Sequence, residues 1–178
     1  MPEITIRRAT PADIESIWAL RLKTTELFRL RGIDQWQHAL PDKATFMRDI
    51  EAGHFHVIGD ETVIAMVAIK DGIEETYDVI MDGAWVKDAP YLTVHRLAVD
   101  DAYLGQGLST RLMRFAEDEA RRQGIMMIRI DTHRHNTYAI RLFTSLGYTR
   151  RGTIMLKEQE GDRMRDAFDK ILDEEMTP

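Results

Sequence analysis

Ile4 and Ile6 alternate with polar neighbours, and this alternation predicts a short first strand. Thr10-Pro11-Ala12-Asp13 then opens a helix, with Thr10 as N-cap and Pro11 at the first helical position. Ile14, Ile17, Trp18 and Leu22 follow at helical spacing, and the pattern from Thr24 to Leu40 continues as helix with an interruption at Gly32. Asp42 to Ala52 reads as a further helix stopped by Gly53. Phe55–Gly59 and Val63–Ile69 read as paired strands around a Gly59-Asp60 turn. From Asp71 to Pro90 no period is visible. The second half is clearer: a strand over Tyr91–Val99, then an amphipathic helix over Gly105–Gly124 with Leu108, Leu112, Phe115, Ala116 and Ala120 on one face. A strand over Met126–Thr132, a helix over Thr137–Leu146 closed by Gly147, and a strand over Thr149–Lys157 complete it. The tail fits two patterns. Met164, Phe168, Ile171 and Leu172 have helical spacing, while Glu160-Gly161-Asp162 is a turn that makes 163–171 a strand.

This order predicts an α/β (α+β) domain with one strand–helix–strand crossover in its second half. No linker or internal repeat divides the chain, so residues 1–178 are expected to form a single domain.

Composition narrows the chemistry. The chain is 44% hydrophobic and 30% charged, with a net charge of −6 and no cysteine. Disulfides, thiolate metal sites and acyl-cysteine intermediates are thereby removed. The acidic balance disfavours nucleic acid and anionic membrane as partners. No apolar stretch approaches bilayer-spanning length and the N-terminus lacks signal-peptide features, so the expectation is a cytoplasmic protein. The histidine pairs His54/His56 and His133/His135 each alternate on one strand face, but spacing supplies no third ligand, and no metal is expected.

The most informative segment runs from Val94 to Ser109. A strand ends, a short loop carries Gly105 and Gly107, and a helix begins at once. Glycines let backbone approach a ligand closely, and helix-start N–H groups attract phosphate oxygens. Two nucleotide motifs fail here: Leu108-Ser109 follows Gly107 where a P-loop needs Lys-Ser/Thr, and Thr110 stands where a dinucleotide fingerprint needs its third glycine.

Leu104-Gly105-Gln106-Gly107-Leu108-Ser109 resembles the Arg/Gln-x-x-Gly-x-Gly/Ala signature of the GNAT superfamily of acyl-CoA-dependent N-acyltransferases, with Leu104 and Ser109 departing from it. Asn136-x-x-Ala139-x-x-Leu142-Phe143-x-x-x-Gly147-Tyr148 resembles that family's second motif, and Arg7 to Asp13 resembles its usual opening. The resemblance implies a mixed, mostly antiparallel central sheet of about six to seven strands, splayed between the fourth and fifth, with helices on both faces. It also implies acetyl-CoA as co-substrate: backbone of Leu97 and Val99 pairing with the pantetheine arm, Leu104, Gly105, Gln106, Gly107, Leu108 and Ser109 around the pyrophosphate, and Asn136 and Phe143 near the arm's reactive end.

The implied reaction is direct attack of an amine, from a small molecule or a peptide or protein, on the thioester, with the Leu97 N–H in an oxyanion-hole role. His95 stands where the family often has a Glu base, and it is read equally as base or as a hydrogen-bonded structural histidine. Phe143 stands where the family has a Tyr acid; Tyr138 and Tyr148 are nearby but read as packing. Glu26, Trp36, Gln37, Asp131 and His133 are candidates for the acceptor pocket, with Trp36 equally readable as core and Asp131/His133 as a solvated strand end. The alternative function is a non-catalytic acyl-CoA-binding or sensing module, favoured by Leu104 and Phe143. A tRNA-acylating toxin would need a basic face that a net charge of −6 disfavours. Pairing into a homodimer is common in the family and is open here.

Overall fold

A computed structural model of the chain describes residues 4–157 and 160–173. Its strands are β1 (Ile6–Arg8), β2 (Phe55–Ile58), β3 (Ala65–Lys70), β4 (Leu92–Val99), β5 (Met127–Thr132), β6 (Thr149–Met155) and β7 (Met164–Ile171). Its helices are α1 (Ile14–Leu30), α2 (Lys43–Glu51), α3 (Leu108–Arg122) and α4 (Thr137–Ser145). The strands form one seven-stranded sheet in the order β1-β2-β3-β4-β5-β7-β6. Every neighbouring pair is antiparallel except β4–β5, which is parallel and joined by the α3 crossover.

Helices cover both faces. On one, Leu112, Met113, Ala116 and Ala120 of α3 and Phe143 of α4 pack on Val67, Val94, Ile128 and Ile130. On the other, Ile17 and Leu20 of α1 and Phe46 and Ile50 of α2 pack on Phe55, Val57, Met66 and Ala68. Because both faces are covered, β3 reads as the continuous apolar run Ala65–Ile69 rather than as an alternation.

Two features of β4 shape the site. First, β4 pairs with β5 only at Leu92↔Ile128 and Thr93↔Arg129, although β4 continues to Val99 and β5 to Thr132. Beyond these pairs the two strands diverge into a fork. Second, β4 carries a bulge. Ala68 opposes His95 and Met66 opposes Ala98, so two β3 steps match three β4 steps. One extra residue inverts the facing of everything after it. Leu92 and Val94 pack toward α3, whereas Ala98 packs toward α1 and α2 and the odd-numbered Leu97 and Val99 turn toward α3. The bulge sits at Arg96, whose φ is 56°.

The structure corrects the helix read over 24–40. It ends at Leu30, with Gly32 at φ 68°, and residues 33–42 form a loop. Arg21 of α1, buried, holds this loop by donating to the carbonyls of His38 (3.0 Å) and Pro41 (3.3 Å). The tail resolves as strand. β7 inserts between β5 and β6, satisfying two sheet edges that a helix would leave open. The loop between β3 and β4 is tied down as well. Met81 bridges Thr153, the Val86 N–H donates to Asp169 Oδ2 (2.8 Å), and Arg129 lies between the rings of Trp85 (4.4 Å) and Tyr91 (4.2 Å). Among the described residues no helix is long and apolar enough to cross a membrane.

Candidate active site

A cavity of about 350 Å³ occupies the fork. Its wall takes Val94, His95, Arg96 and Leu97 from β4, Ile130, Asp131 and Thr132 from β5, Asn136, Ala139 and Phe143 from α4, and Gln35 and Trp36 from the loop after α1. Glu74, Thr76 and Tyr77 reach it from the β3–β4 loop, and Leu156 and Arg165 from the β6–β7 hairpin.

His95 Nε2 lies 3.2 Å from Glu74 Oε2. That hydrogen bond, working against burial, holds the Glu74 carboxyl at about 2. An ionised carboxylate only accepts, so Nε2 carries the hydrogen and Nδ1 is left as the basic nitrogen. Beside this pair, the Tyr77 hydroxyl donates to Asp131 Oδ2 at 2.6 Å. Burial first, and the Asp131 charge second, push the Tyr77 phenol well above its ordinary value, so it stays protonated at neutral pH. The Tyr77 and His95 rings are 6.5 Å apart.

The bulge is anchored from the opposite side. A left-handed φ at an arginine is costly unless neighbours hold it. Arg96 Nε donates to Asp49 Oδ2 at 3.0 Å, and Lys70 Nζ lies 3.6 Å from Asp49 Oδ1. Asp49 is buried on α2, so its carboxylate rests on these two cations. The α2 helix thereby fixes the backbone that leads into Leu97.

At the other end of β4, Asp100 accepts from Lys23 Nζ (2.7 Å) and from the Ala102 N–H (3.0 Å), folding the chain into the glycine loop. Gly105 and Gly107 have φ of 78° and 77°, a region other residues rarely adopt, and beyond the adjoining backbone no atom lies within 4 Å of where a Cβ would stand on either. Gly107 is the N-cap of α3 and supplies no side-chain cap, so the first-turn N–H groups face outward on an open surface. Leu108 is buried by its side chain, while Leu104 and Gln106 are exposed and Ser109 half-buried.

The remaining sequence-derived candidates divide. Asp131, Trp36, Asn136 and Phe143 reach the cavity. Asn136 is also the N-cap of α4, its Oδ1 accepting from the Ala139 N–H (3.2 Å) while Nδ2 faces Gln35 Oε1 (3.5 Å). Phe143 packs between Tyr148 (6.2 Å) and Phe168 (5.6 Å). Val99 follows Leu97 along the diverging edge of β4, outside the cavity lining. Glu26 and Gln37 also lie outside it. Glu26 is exposed and pairs with Arg29, one helical turn away. Gln37 braces its own loop through the Thr25 carbonyl (2.8 Å), and its neighbour Gln35 reaches the cavity instead. His133 is buried facing the β6–β7 hairpin, its Nε2 2.8 Å from Asp162 and its Nδ1 accepting from the His135 N–H. Burial is the main cause that draws its pKa below the ordinary value. Tyr138 is exposed under the Arg31 guanidinium, and Tyr148 donates to Glu117 (3.2 Å) in the core. Among the described residues no group of three or more His, Cys, Asp or Glu could hold a metal.

Sequence reasoning missed Glu74, Tyr77, Asp49 and Gln35. Glu74 and Tyr77 lie in the stretch without a period, where Gly83, Trp85 and Pro90 only break up the pattern.

A family model described as the acetyltransferase (GNAT) family matches residues 17–148. The chain belongs to the GNAT acetyltransferase family. A GNAT-family acetyltransferase from Streptococcus agalactiae superposes with a TM-score of 0.86 at 30% identity, covering 97% of this chain and 98% of that one. The uncharacterized N-acetyltransferase YesJ of Bacillus subtilis is 35% identical over 108 residues, a match covering 59% of this chain and 59% of that protein. The chain thus spans about three-fifths of that curated relative's length (59%). YncA of Salmonella typhimurium, solved with its cofactor acetyl-CoA, shares the GNAT fold at 22% identity and a TM-score of 0.65, covering 99% of this chain and 98% of that one.

Proposed function

We propose that this GNAT protein is an N-acetyltransferase that moves the acetyl group of acetyl-CoA to an amine by direct attack within a ternary complex, and that residues 1–178 act as one domain. The observation that carries the reading is the fork: β4 and β5 part after Thr93 and Arg129, and the Glu74-supported His95 stands in the opening.

The chain fits the co-substrate in two places. The freed edges of β4 beyond Thr93 supply main-chain groups of Leu97 and Val99 for an extended amide-bearing arm. Gly105, Gly107 and the uncapped start of α3 form a cradle that a Cβ would fill, suited to a pyrophosphate. Bound there, acetyl-CoA supplies a thioester with a good leaving group.

The chain's residues do the rest. His95 Nδ1 takes a proton from the incoming ammonium so that the nitrogen lone pair is free to attack. Glu74 keeps the imidazole in the tautomer that presents Nδ1 and balances the charge it gains. The Leu97 N–H, in the bulge set by Arg96 and Asp49, donates to the carbonyl oxygen as it becomes negative. The C–N bond forms, the C–S bond breaks, the departing sulfur leaves as thiolate, and the second proton of the attacking nitrogen passes to solvent. A thiol pKa of about 8.5 makes that departure tolerable near neutral pH without a side-chain acid. Phe143 cannot donate a proton, and the Tyr77 proton is already committed to Asp131.

Thiol release from acetyl-CoA across a panel of amines tests the reading, with both substrates varied. Intersecting initial-velocity lines support a ternary complex. Tight acetyl-CoA binding with no turnover on any amine supports the sensing module instead.

A further inference from the structure

The segments that rim the cavity opposite the glycine loop are stitched to one another. Asp34, in the loop after α1, accepts the Asp162 N–H at the tip of the β6–β7 hairpin (2.8 Å) and lies 3.1 Å from His38 Nε2. Gly161 packs closely on the His38 and Asp34 side chains, which a Cβ there would displace, and its φ of 76° favours glycine. Gln35 Oε1 reaches the end of β5, 3.3 Å from both Thr132 Oγ1 and the His133 N–H. Lys157 of the hairpin lies 3.4 Å from Glu75 of the β3–β4 loop. Loop, hairpin and β3–β4 segment are therefore tied to one another along this rim of the cavity.

Trp36 adds an inner wall. It lines the 350 Å³ cavity on one side and a second cavity of about 220 Å³ on the other. It is held at φ 59°, against Phe28 at 5.8 Å between ring centres. Drug-sized ligands fill roughly 300–1,000 Å³, so a 350 Å³ space that must also hold an acetyl group leaves room for little more than a small molecule.

We propose that the acceptor is a small free amine taken into this cavity beneath the stitched rim, not an amine carried on a polypeptide, and that Trp36 sets the limit on its length. The inference rests on the acetyl-transfer reading of the fork. A peptide extended over this rim would meet the Asp34–Asp162 junction, which the chain spans with its own hydrogen bond.

The test uses two stable conjugates in which the CoA sulfur is joined through a CH2–C(O) unit to a nitrogen as an amide: that of propylamine in one, and the N-terminus of a pentapeptide in the other. Calorimetry compares each with CoA itself. The propylamine conjugate should bind at least as tightly as CoA, and the pentapeptide conjugate at least about tenfold more weakly, or 1.4 kcal/mol. Trp36→Gly, which joins the two cavities and suits the positive φ, should recover most of that loss, and Asp34→Ala should do so by releasing the hairpin. Equal binding of the two conjugates to the unaltered protein overturns the inference and leaves acetyl transfer standing. So does a peptide penalty that neither variant relieves. Failure of CoA itself to bind removes the transferase reading and this inference with it.

Discussion

Glu74→Gln separates the carboxylate's charge from its shape. In the folded chain the His95 hydrogen bond lowers the Glu74 carboxyl from 4.5 to about 2, against the opposing effect of burial. A folded-state value below the unfolded one means the stabilisation is fully present above pH 4.5 and is lost as pH falls through 2. The difference corresponds to about 3 kcal/mol at pH 7 and about 1 kcal/mol at pH 3. Gln keeps the volume and one acceptor but cannot ionise, so it forfeits the charge-dependent part. Urea unfolding of both proteins should therefore show a stability gap of up to about 3 kcal/mol at pH 7, narrowing toward pH 3 and closing below pH 2. In the same variant kcat should fall about ten- to a hundredfold, because an amide no longer selects the imidazole tautomer. A stability gap that does not change with pH would refute the electrostatic argument, and an unchanged kcat would refute the support of His95 by Glu74.

Three further perturbations probe other parts of the site. Gly107→Val places a β-branched residue at φ 77° and a side chain in the phosphate cradle, so acetyl-CoA affinity by calorimetry should drop at least about tenfold in a folded protein. Asp49→Ala leaves Arg96 and Lys70 without their buried carboxylate; chemical denaturation should show a loss of about 3–5 kcal/mol, and kcat should fall because the backbone leading into Leu97 loses its anchor. Tyr138→Phe and Tyr148→Phe should each keep kcat within about threefold, since one hydroxyl is on the surface and the other is turned to Glu117; a hundredfold loss in either would identify a proton donor.

Much of this arrangement is legible in the residues because it rests on local signals. The α3 stripe of Leu108, Leu112 and Ala116 and the glycine loop before it obey helical spacing and backbone need, and the structure has both where the pattern puts them. The continuation of α1 past Gly32 was misread because Ile33, Trp36 and Leu40 mimic a helical period. They are buried or half-buried by Phe28 and the buried Arg21, a tertiary cause invisible to periodicity. Glu26 fits a pocket position along the chain, but its place on α1 turns it to solvent beside Arg29. Glu74 and Tyr77 escaped for the same kind of reason. Their partners His95 and Asp131 are 21 and 54 residues away in sequence. The β4 bulge has no glycine or proline to announce it, because Asp49 on another helix bears its strain.

The central claim is that the fork between β4 and β5 transfers an acetyl group directly to nitrogen. Its most direct test is a product balance with acetyl-CoA carrying an isotopic label in the acetyl group, incubated with a mixture of small amines and followed by mass spectrometry of amines, protein and free CoA. The account predicts one labelled N-acetyl amine for each CoA released, with no label on the protein and none as free acetate. Labelled protein as an intermediate that decays with turnover, or CoA release matched by acetate and not by an N-acetyl product, would contradict it.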